Sequence, residues 1–75
     1  MTTTKATQQL SARGLDAHVT VGRVPSADGH GIRYQCAIYQ RTCGRLGAPL
    51  AVGYHTSSRA KAVDAAMADL TWWQR

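Results

Sequence analysis

The clearest hydrophobic pattern lies in the last third of the chain. Apolar side chains recur there at spacings of three and four, at Val63, Ala66, Met67, Leu70 and Trp73. This is the period of an amphipathic helix, and Ser57 or Ser58 is a suitable N-cap for it. We predict a helix over about residues 58–73. Several alanines between Ala60 and Ala68 favour close contact between this helix and a sheet.

Three earlier segments, near 17–24, 32–41 and 49–55, have the residue types of strands. The middle one alternates cleanly, with one set at Tyr34, Cys36 and Ile38 and the other at Arg33, Gln35, Ala37, Tyr39 and Arg41. In the third, Leu50, Val52 and Tyr54 alternate with Ala51, Gly53 and His55. Period-two alternation is typical of a half-buried strand. We expect Val52 to share the buried face with Tyr34 and Ile38.

The remaining segments complete a simple architecture. Thr4 to Arg13 tolerates a short helix that Gly14 ends, and the runs 26–31 and 42–49 are rich in turn-forming residues. The order is therefore α-β-β-β-α, an α+β fold with a three-stranded antiparallel sheet and the last helix across one face. We expect one domain over residues 1–75.

Length and composition narrow the function classes. A chain of 75 residues buries only about 60% of the surface it exposes when unfolded, which does not favour a deep catalytic cleft. Its longest apolar runs are far short of the roughly 20 residues of a membrane span, and the first residues have no signal-peptide pattern. We expect a cytoplasmic protein that does not contact membranes.

Charge is the most informative bulk property. The net charge is +5, with nine Lys and Arg against four Asp and no Glu, and seven of the nine are Arg. The planar fork of Arg grips phosphate or carboxylate through two parallel hydrogen bonds. The excess lies between Arg23 and Lys61, so it belongs to the folded part and not to a tail. A nucleic acid or an acidic protein surface is the expected partner, although such charge can also serve solubility alone.

The sequence does not favour an enzyme, a metal site or a cofactor. Asp28 and His30 lie in a glycine-rich turn with no nucleophile at a defined offset. The spacing of Cys36 and Cys43 matches no short zinc-ligand pair. We expect both cysteines to be reduced, with Cys36 packing as a small hydrophobe, while a bridge across one hairpin stays open.

Two surfaces are candidates for binding. Ser57, Ser58, Arg59 and Lys61 surround a helix start, where free backbone N–H groups and the helix dipole favour an anion. The exposed face of the sheet is the other, because Arg33, Tyr39 and Arg41 share it, and we expect His55 beside them. Basic side chains interleaved with an aromatic ring are suited to single strands, whose bases stack on the ring.

The segment from Ser57 to Ala66 resembles the closing signature of the double-stranded-RNA-binding domain, which has a Ser, two basic residues, Ala-Lys and a pair of Ala. One residue is missing before Ala60-Lys61, one is added before Ala65-Ala66, and Ser58 stands where the family has a basic residue. The α-β-β-β-α order is similar too. The resemblance implies RNA contacts from the first helix, from the loop between the first two strands and from the start of the last helix. The matching positions are Gln8, Gln9, His30, Arg59 and Lys61.

Two functions therefore remain open. One is a non-catalytic module that binds nucleic acid through phosphates, as the resemblance implies. The other is a protein-directed inhibitor, because a lone basic domain of this size resembles phage-encoded inhibitors of RNA-guided complexes, the anti-CRISPR type. The first binds free nucleic acid with a salt-dependent affinity, whereas the second needs its protein or nucleoprotein target.

Overall fold

The computed structural model describes residues 1–70, and it confirms the predicted α-β-β-β-α order. Helix α1 spans Thr3–Ala12, strands β1, β2 and β3 span Ala17–Pro25, Ile32–Thr42 and Arg45–His55, and helix α2 spans Arg59–Asp69. The strands form one antiparallel meander in the order β1-β2-β3. The fold is therefore the expected α+β architecture.

Both helices begin at a hydroxyl cap. The Thr2 side chain accepts a hydrogen bond from the backbone N–H of Lys5, and Ser58 does the same for Lys61. Such caps satisfy N–H groups that have no partner within the helix. Helix α1 ends as the sequence predicts, because Gly14 adopts a φ of +85°, in the left-handed region that glycine tolerates best.

The core lies between the sheet and the two helices, which share one of its faces. Its buried residues come from all five elements, from the α1–β1 connection and from the C-cap of α2. They are Ala6, Leu10, Leu15, Ala17, Cys36, Ile38, Ala51, Ala62, Val63, Ala66 and Leu70. The predicted stripe of α2 is confirmed at Val63, Ala66 and Leu70. Trp72 and Trp73 fall outside the described residues. The other face of the sheet is not covered by either helix.

Helix α2 packs unusually close to β3, at Gly53. A Cβ added there would lie 2.6 Å from the Ala62 carbonyl oxygen, 2.7 Å from the Ala65 carbonyl carbon and closer still to the Ala66 amide nitrogen. All three are backbone atoms, so no side chain can swing aside. The glycine is needed because the helix backbone occupies the space that a side chain at position 53 would take. This close contact between helix and sheet was expected from the alanines of α2.

The prediction of which side chains of the third strand face the helices was wrong. Ala51 and Gly53 pair with Ile38 and Cys36 and face the helices, whereas Val52 pairs with Ala37 on the uncovered face. The larger side chains were expected inside because burial of apolar area stabilises most folds. Close approach of α2 leaves room for small side chains alone on its side of β3.

The connection between β2 and β3 was also predicted too long. Only Cys43 and Gly44 form the turn, with φ values of 52° and 76°, and β3 begins at Arg45. Two residues with positive φ suit the right-handed twist of a hairpin. Register shifts interrupt the pairing near Pro49 in this edge strand, where a residue without an N–H is tolerated.

The cysteines are free, with Cys36 in the core and Cys43 exposed at the hairpin turn. The prediction that Cys36 packs as a small hydrophobe is confirmed, since its side chain is fully buried. Burial raises the pKa of the Cys36 thiol to about 11, because the thiolate would lose its hydration.

Candidate nucleic-acid-binding surfaces

Three parts of the chain meet at one end of the sheet. Arg23 near the end of β1 pairs with Tyr34 at the start of β2, and Tyr34 pairs with His55 at the end of β3. The β1–β2 loop and the start of α2 therefore lie at the same end. Helix α1 begins there too, since the Met1 ammonium donates to the Ala60 carbonyl at 3.3 Å. We call this end, with Arg23, the β1–β2 loop, residues 58–61 and the exposed side of α1, the helix-start surface.

The backbone N–H groups of the helix start are largely engaged within the chain. Ser57 and Ser58 donate their N–H groups to Nδ1 of His55, at 3.1 Å and 2.9 Å, and the Lys61 N–H donates to Ser58 Oγ at 3.2 Å. Ser58 therefore acts as the cap, and the N–H groups of Ser57, Ser58 and Lys61 are not available to an anion. An anion at this surface would be held mainly by side chains.

Among the described residues, the cations of this surface have no carboxylate partner. Arg59 and Lys61 are exposed in the first turn of α2, and the Arg59 guanidinium lies over the Tyr34 ring, 5.4 Å from its centroid. Arg23 is exposed on the same side of the sheet, next to Tyr34 in the register. Within residues 1–70 none of these three cations forms an ion pair. Their charge is available to an external anion.

His30 lies in the β1–β2 loop and is exposed. Its backbone N–H donates to the Asp28 carboxylate at 2.9 Å. This bond and one from the Ser26 hydroxyl hold the pKa of Asp28 below its ordinary value, with a smaller contribution from the charge of Arg33. The loop is thus shaped around an ionised Asp28, and the His30 imidazole is left to point outward from an ordered turn.

Helix α1 presents Gln8 to solvent, while Gln9 is half-buried. The helix is fixed against α2 because the Met1 ammonium also pairs with Asp64, at 3.1 Å. A groove of about 410 Å³ separates the start of α1 from β1 and α2, and Val19, Val63 and Arg59 are among its lining residues. Gln8 and Lys61 are both exposed, and their joint contact with RNA stays a prediction.

The uncovered face of the sheet carries the second group of predicted residues. Arg33, Tyr39 and Arg41 occupy alternate positions of β2 on this face, as predicted from their alternation. His55 does not join them: it pairs with Tyr34 on the helix side and accepts the two N–H bonds described above. We call the uncovered face, with residues 18, 20, 22, 24, 33, 35, 37, 39, 41, 52 and 54, the open sheet face.

Each cation of the open sheet face has a neighbour within the chain. The Arg33 guanidinium carbon lies 3.9 Å from the centroid of the Tyr54 ring. Arg41 contacts the Asp16 carboxylate at 3.6 Å, so part of its charge is compensated. Tyr39 lies next to His18, with ring centroids 6.4 Å apart and planes tilted by 41°.

Sequence reasoning missed Tyr54 and Arg23 as members of these surfaces. Because the wrong alternating set of β3 was expected to be buried, Tyr54 was expected on the buried face. The small residues Ala51 and Gly53 are the set that fits close packing against an alanine-rich helix, and this fit is the signal that would have placed Tyr54 on the other face. Arg23 was considered only as part of the net positive charge and was not assigned to a surface. Continuing the alternation Val19, Val21, Arg23 would have placed it on the helix side, beyond the core.

Neither a metal centre nor a membrane span is found in the part of the chain that the structure describes. Among residues 1–70, no three His, Cys, Asp or Glu side chains are grouped as metal ligands. No helix in that range is long and apolar enough to cross a membrane. Comparison with known proteins finds no matching family model, curated protein or solved structure.

Proposed function

We propose that this chain is a non-catalytic domain that binds double-stranded RNA through its phosphates, on the helix-start surface. The observation that carries the proposal is the grouping of Arg23, Arg59 and Lys61 at one end of the sheet without ion-pair partners within residues 1–70. Side chains that contribute to stability through ion pairs would have carboxylates beside them. Within residues 1–70 these cations have no carboxylate within ion-pair distance, so their charge is available to the phosphates of a polyanion.

The arrangement of elements supports a duplex as the polyanion. The resemblance implies RNA contacts from α1, the β1–β2 loop and the start of α2. The start of α1, this loop and the start of α2 lie at one end of the sheet, and Gln8, His30 and Lys61 are exposed. A duplex presents rows of phosphates separated by grooves, so an extended ligand is matched by several separate contacts. A single compact anion would need only one of them.

The chemistry of the surface predicts weak sequence preference. The amides around Ser58 are engaged internally, so phosphates meet the flexible side chains of Arg59 and Lys61. Such contacts release counterions and carry no base information. With about three phosphates neutralised, log affinity should fall with log salt concentration with a slope of roughly −2 to −3.

The test is a titration of labelled RNA duplex of about 16 base pairs, at two salt concentrations, with fluorescence anisotropy as the readout. The double variant Arg59→Ala/Lys61→Ala should bind about tenfold more weakly at low salt. Its salt slope should be smaller by about 2. Duplex DNA and single-stranded RNA of equal length serve as competitors.

The matched control is Arg41→Ala/Arg45→Ala, which removes the same charge at the other end of the sheet, where both side chains are exposed. It should leave duplex affinity within about twofold, apart from the small effect of net charge. Equal losses in the two double variants would show that charge alone, and not this surface, holds the duplex. No binding of any nucleic acid at low salt would contradict the proposal and favour a protein-directed inhibitor.

A further inference from the structure

The open sheet face has features that a merely solvated sheet does not need. Both helices pack on the opposite face, and among the described residues of this one only Ala37 is buried. Its aromatic rings are Tyr39 and Tyr54, and Tyr54 is 43% exposed. The positions between them carry Thr20, Gln35, Ala37 and Val52. We call the two tyrosine positions that flank these residues the raised positions.

The first raised position is a stacked pair. The Arg33 guanidinium carbon lies 3.9 Å from the centroid of the Tyr54 ring, which is contact distance for a cation on an aromatic face. Arg33 has no ion-pair partner within residues 1–70, and its Nε is buried without a hydrogen-bond acceptor. The ring, rather than a carboxylate, holds the guanidinium in place. Its planar group remains free to stack on a further ring and to meet a phosphate.

The second raised position is Tyr39, beside the His18 ring on β1. Tyr54 is in register with Gln35, four positions from Tyr39 along β2. At about 3.3 Å per strand residue, the two positions are about 13 Å apart. A stretched strand of a few nucleotides spans this distance. Arg41 follows Tyr39 on the same face and adds a cation at the far end.

We propose that the open sheet face binds single-stranded nucleic acid, with bases stacked on Tyr39 and on the Arg33–Tyr54 pair. Bases stack on aromatic rings and on guanidinium planes with little sequence preference. A duplex hides its base faces, so it cannot use these positions.

The test is a titration of labelled oligouridylate and oligoadenylate of about 10 nucleotides, a length within the usual site size of a single-strand-binding domain. Tyr39→Ala and Tyr54→Ala should each weaken binding about tenfold through lost stacking. Tyr39→Phe and Tyr54→Phe keep the ring and should bind within about twofold of the unmodified chain. Equal losses in the Phe and Ala variants would overturn the proposal, since hydroxyl contacts would then account for binding.

A measurement on the unmodified protein keeps the proposal testable if an Ala variant unfolds. Adding the oligonucleotide should shift the NMR ring resonances of Tyr39 and Tyr54 and the amides of β2. Shifts confined to residues 58–61 would overturn it, as would a lack of binding at low salt. Arg59→Ala/Lys61→Ala should weaken duplex binding and spare single strands, so failure here is distinguishable from failure of the proposed duplex function.

Discussion

Replacement of Gly53 by alanine is the most direct test of the packing between α2 and β3. The new Cβ would lie 2.6 Å from the Ala62 oxygen and 2.7 Å from the Ala65 carbonyl carbon, in addition to its contact with the Ala66 amide. Ordinary van der Waals contact needs about 3.5 Å or more. The helix must therefore move away from the sheet by about 1 Å, which loosens the contacts of Val63 and Leu70 with the core.

The cost should reach or exceed the upper end of the usual range for overpacking, about 3 kcal/mol. A chain of this length has a free energy of unfolding of about 4–11 kcal/mol, so the loss is a large fraction of the total. It corresponds to a fall in Tm of about 12–24 °C. Urea unfolding followed by circular dichroism should show a lower midpoint with an unchanged slope.

Gly22→Ala is the matched control, because a Cβ at Gly22 in β1 meets nothing within 4 Å. That variant should be neutral or more stable by about 0.5 kcal/mol, since alanine restricts the unfolded chain. Adding Ala66→Gly to Gly53→Ala should not restore stability, because the contact is with backbone atoms. A Gly53→Ala protein within about 1 kcal/mol of the unmodified chain would refute the close approach of α2.

Other consequences concern single side chains. Leu70→Ala should lower the free energy of unfolding by about 2–5 kcal/mol, because Leu70 is fully buried, and a thermal melt that is little changed would remove it from the core. His55→Ala should cost about 1 kcal/mol by leaving two N–H groups without an acceptor, whereas His55→Asn, which keeps an acceptor, should cost less in the same urea titration. Iodoacetamide at pH 8 should label Cys43 and spare Cys36 in a peptide mass map, and labelling of both in the folded chain would contradict the burial of Cys36. Because burial raises the pKa of Cys36 from 9.0 to about 11, the unfolded chain loses this proton first, so stability should fall as pH rises through that interval, and Cys36→Ala should remove this part of the fall.

The order and position of the elements were predictable from local patterns. Strand β2 has a clean alternation that only one face assignment satisfies, so Arg33, Tyr39 and Arg41 were correctly grouped on the exposed side. The start of α2 was predictable because Ser58 precedes a run with helical period and can cap it. These features depend on neighbours within a few residues, which sequence reasoning handles well.

The phase of β3 depends on a distant element, which is why it was assigned wrongly. Between Leu50 and His55, either alternating set of side chains is acceptable on a buried face. The set with Leu50 and Val52 has the larger side chains, so its burial would remove more apolar area from water. The structure selects Ala51 and Gly53 because the α2 backbone lies against them. The same error moved Tyr54 away from Arg33 and placed His55 on the wrong face. Helix-to-sheet distance is a tertiary property, and hydrophobicity along the strand does not encode it.

The extra length of β3 was missed for a related reason. Residues 45–49 include Gly47 and Pro49, which argue against a central strand, but β3 is an edge strand with irregular pairing at Pro49. The turn at Cys43 and Gly44 fixes the hairpin, although Cys is an uncommon residue at positive φ. Recognising this turn would have extended the strand to Arg45.

The helix-start surface and the open sheet face meet at one end of the sheet, so a nucleic acid with a duplex part and a single-stranded part tests both proposals together. Arg33 on the open sheet face is adjacent in β2 to Tyr34, over which Arg59 of the helix-start surface lies. If both proposals hold, we expect a duplex on the helix-start surface to reach Tyr54 with a single-stranded extension. Linking two binding events raises the effective concentration of the second, so a duplex with a single-stranded extension of about 10 nucleotides should bind at least about tenfold more tightly than the blunt duplex.

Tyr54→Ala should abolish this gain and leave blunt-duplex affinity unchanged, whereas Arg59→Ala/Lys61→Ala should weaken the binding of both ligands. Equal affinities of the blunt and extended duplexes, measured by anisotropy at the same salt concentration, would contradict simultaneous use of the two surfaces.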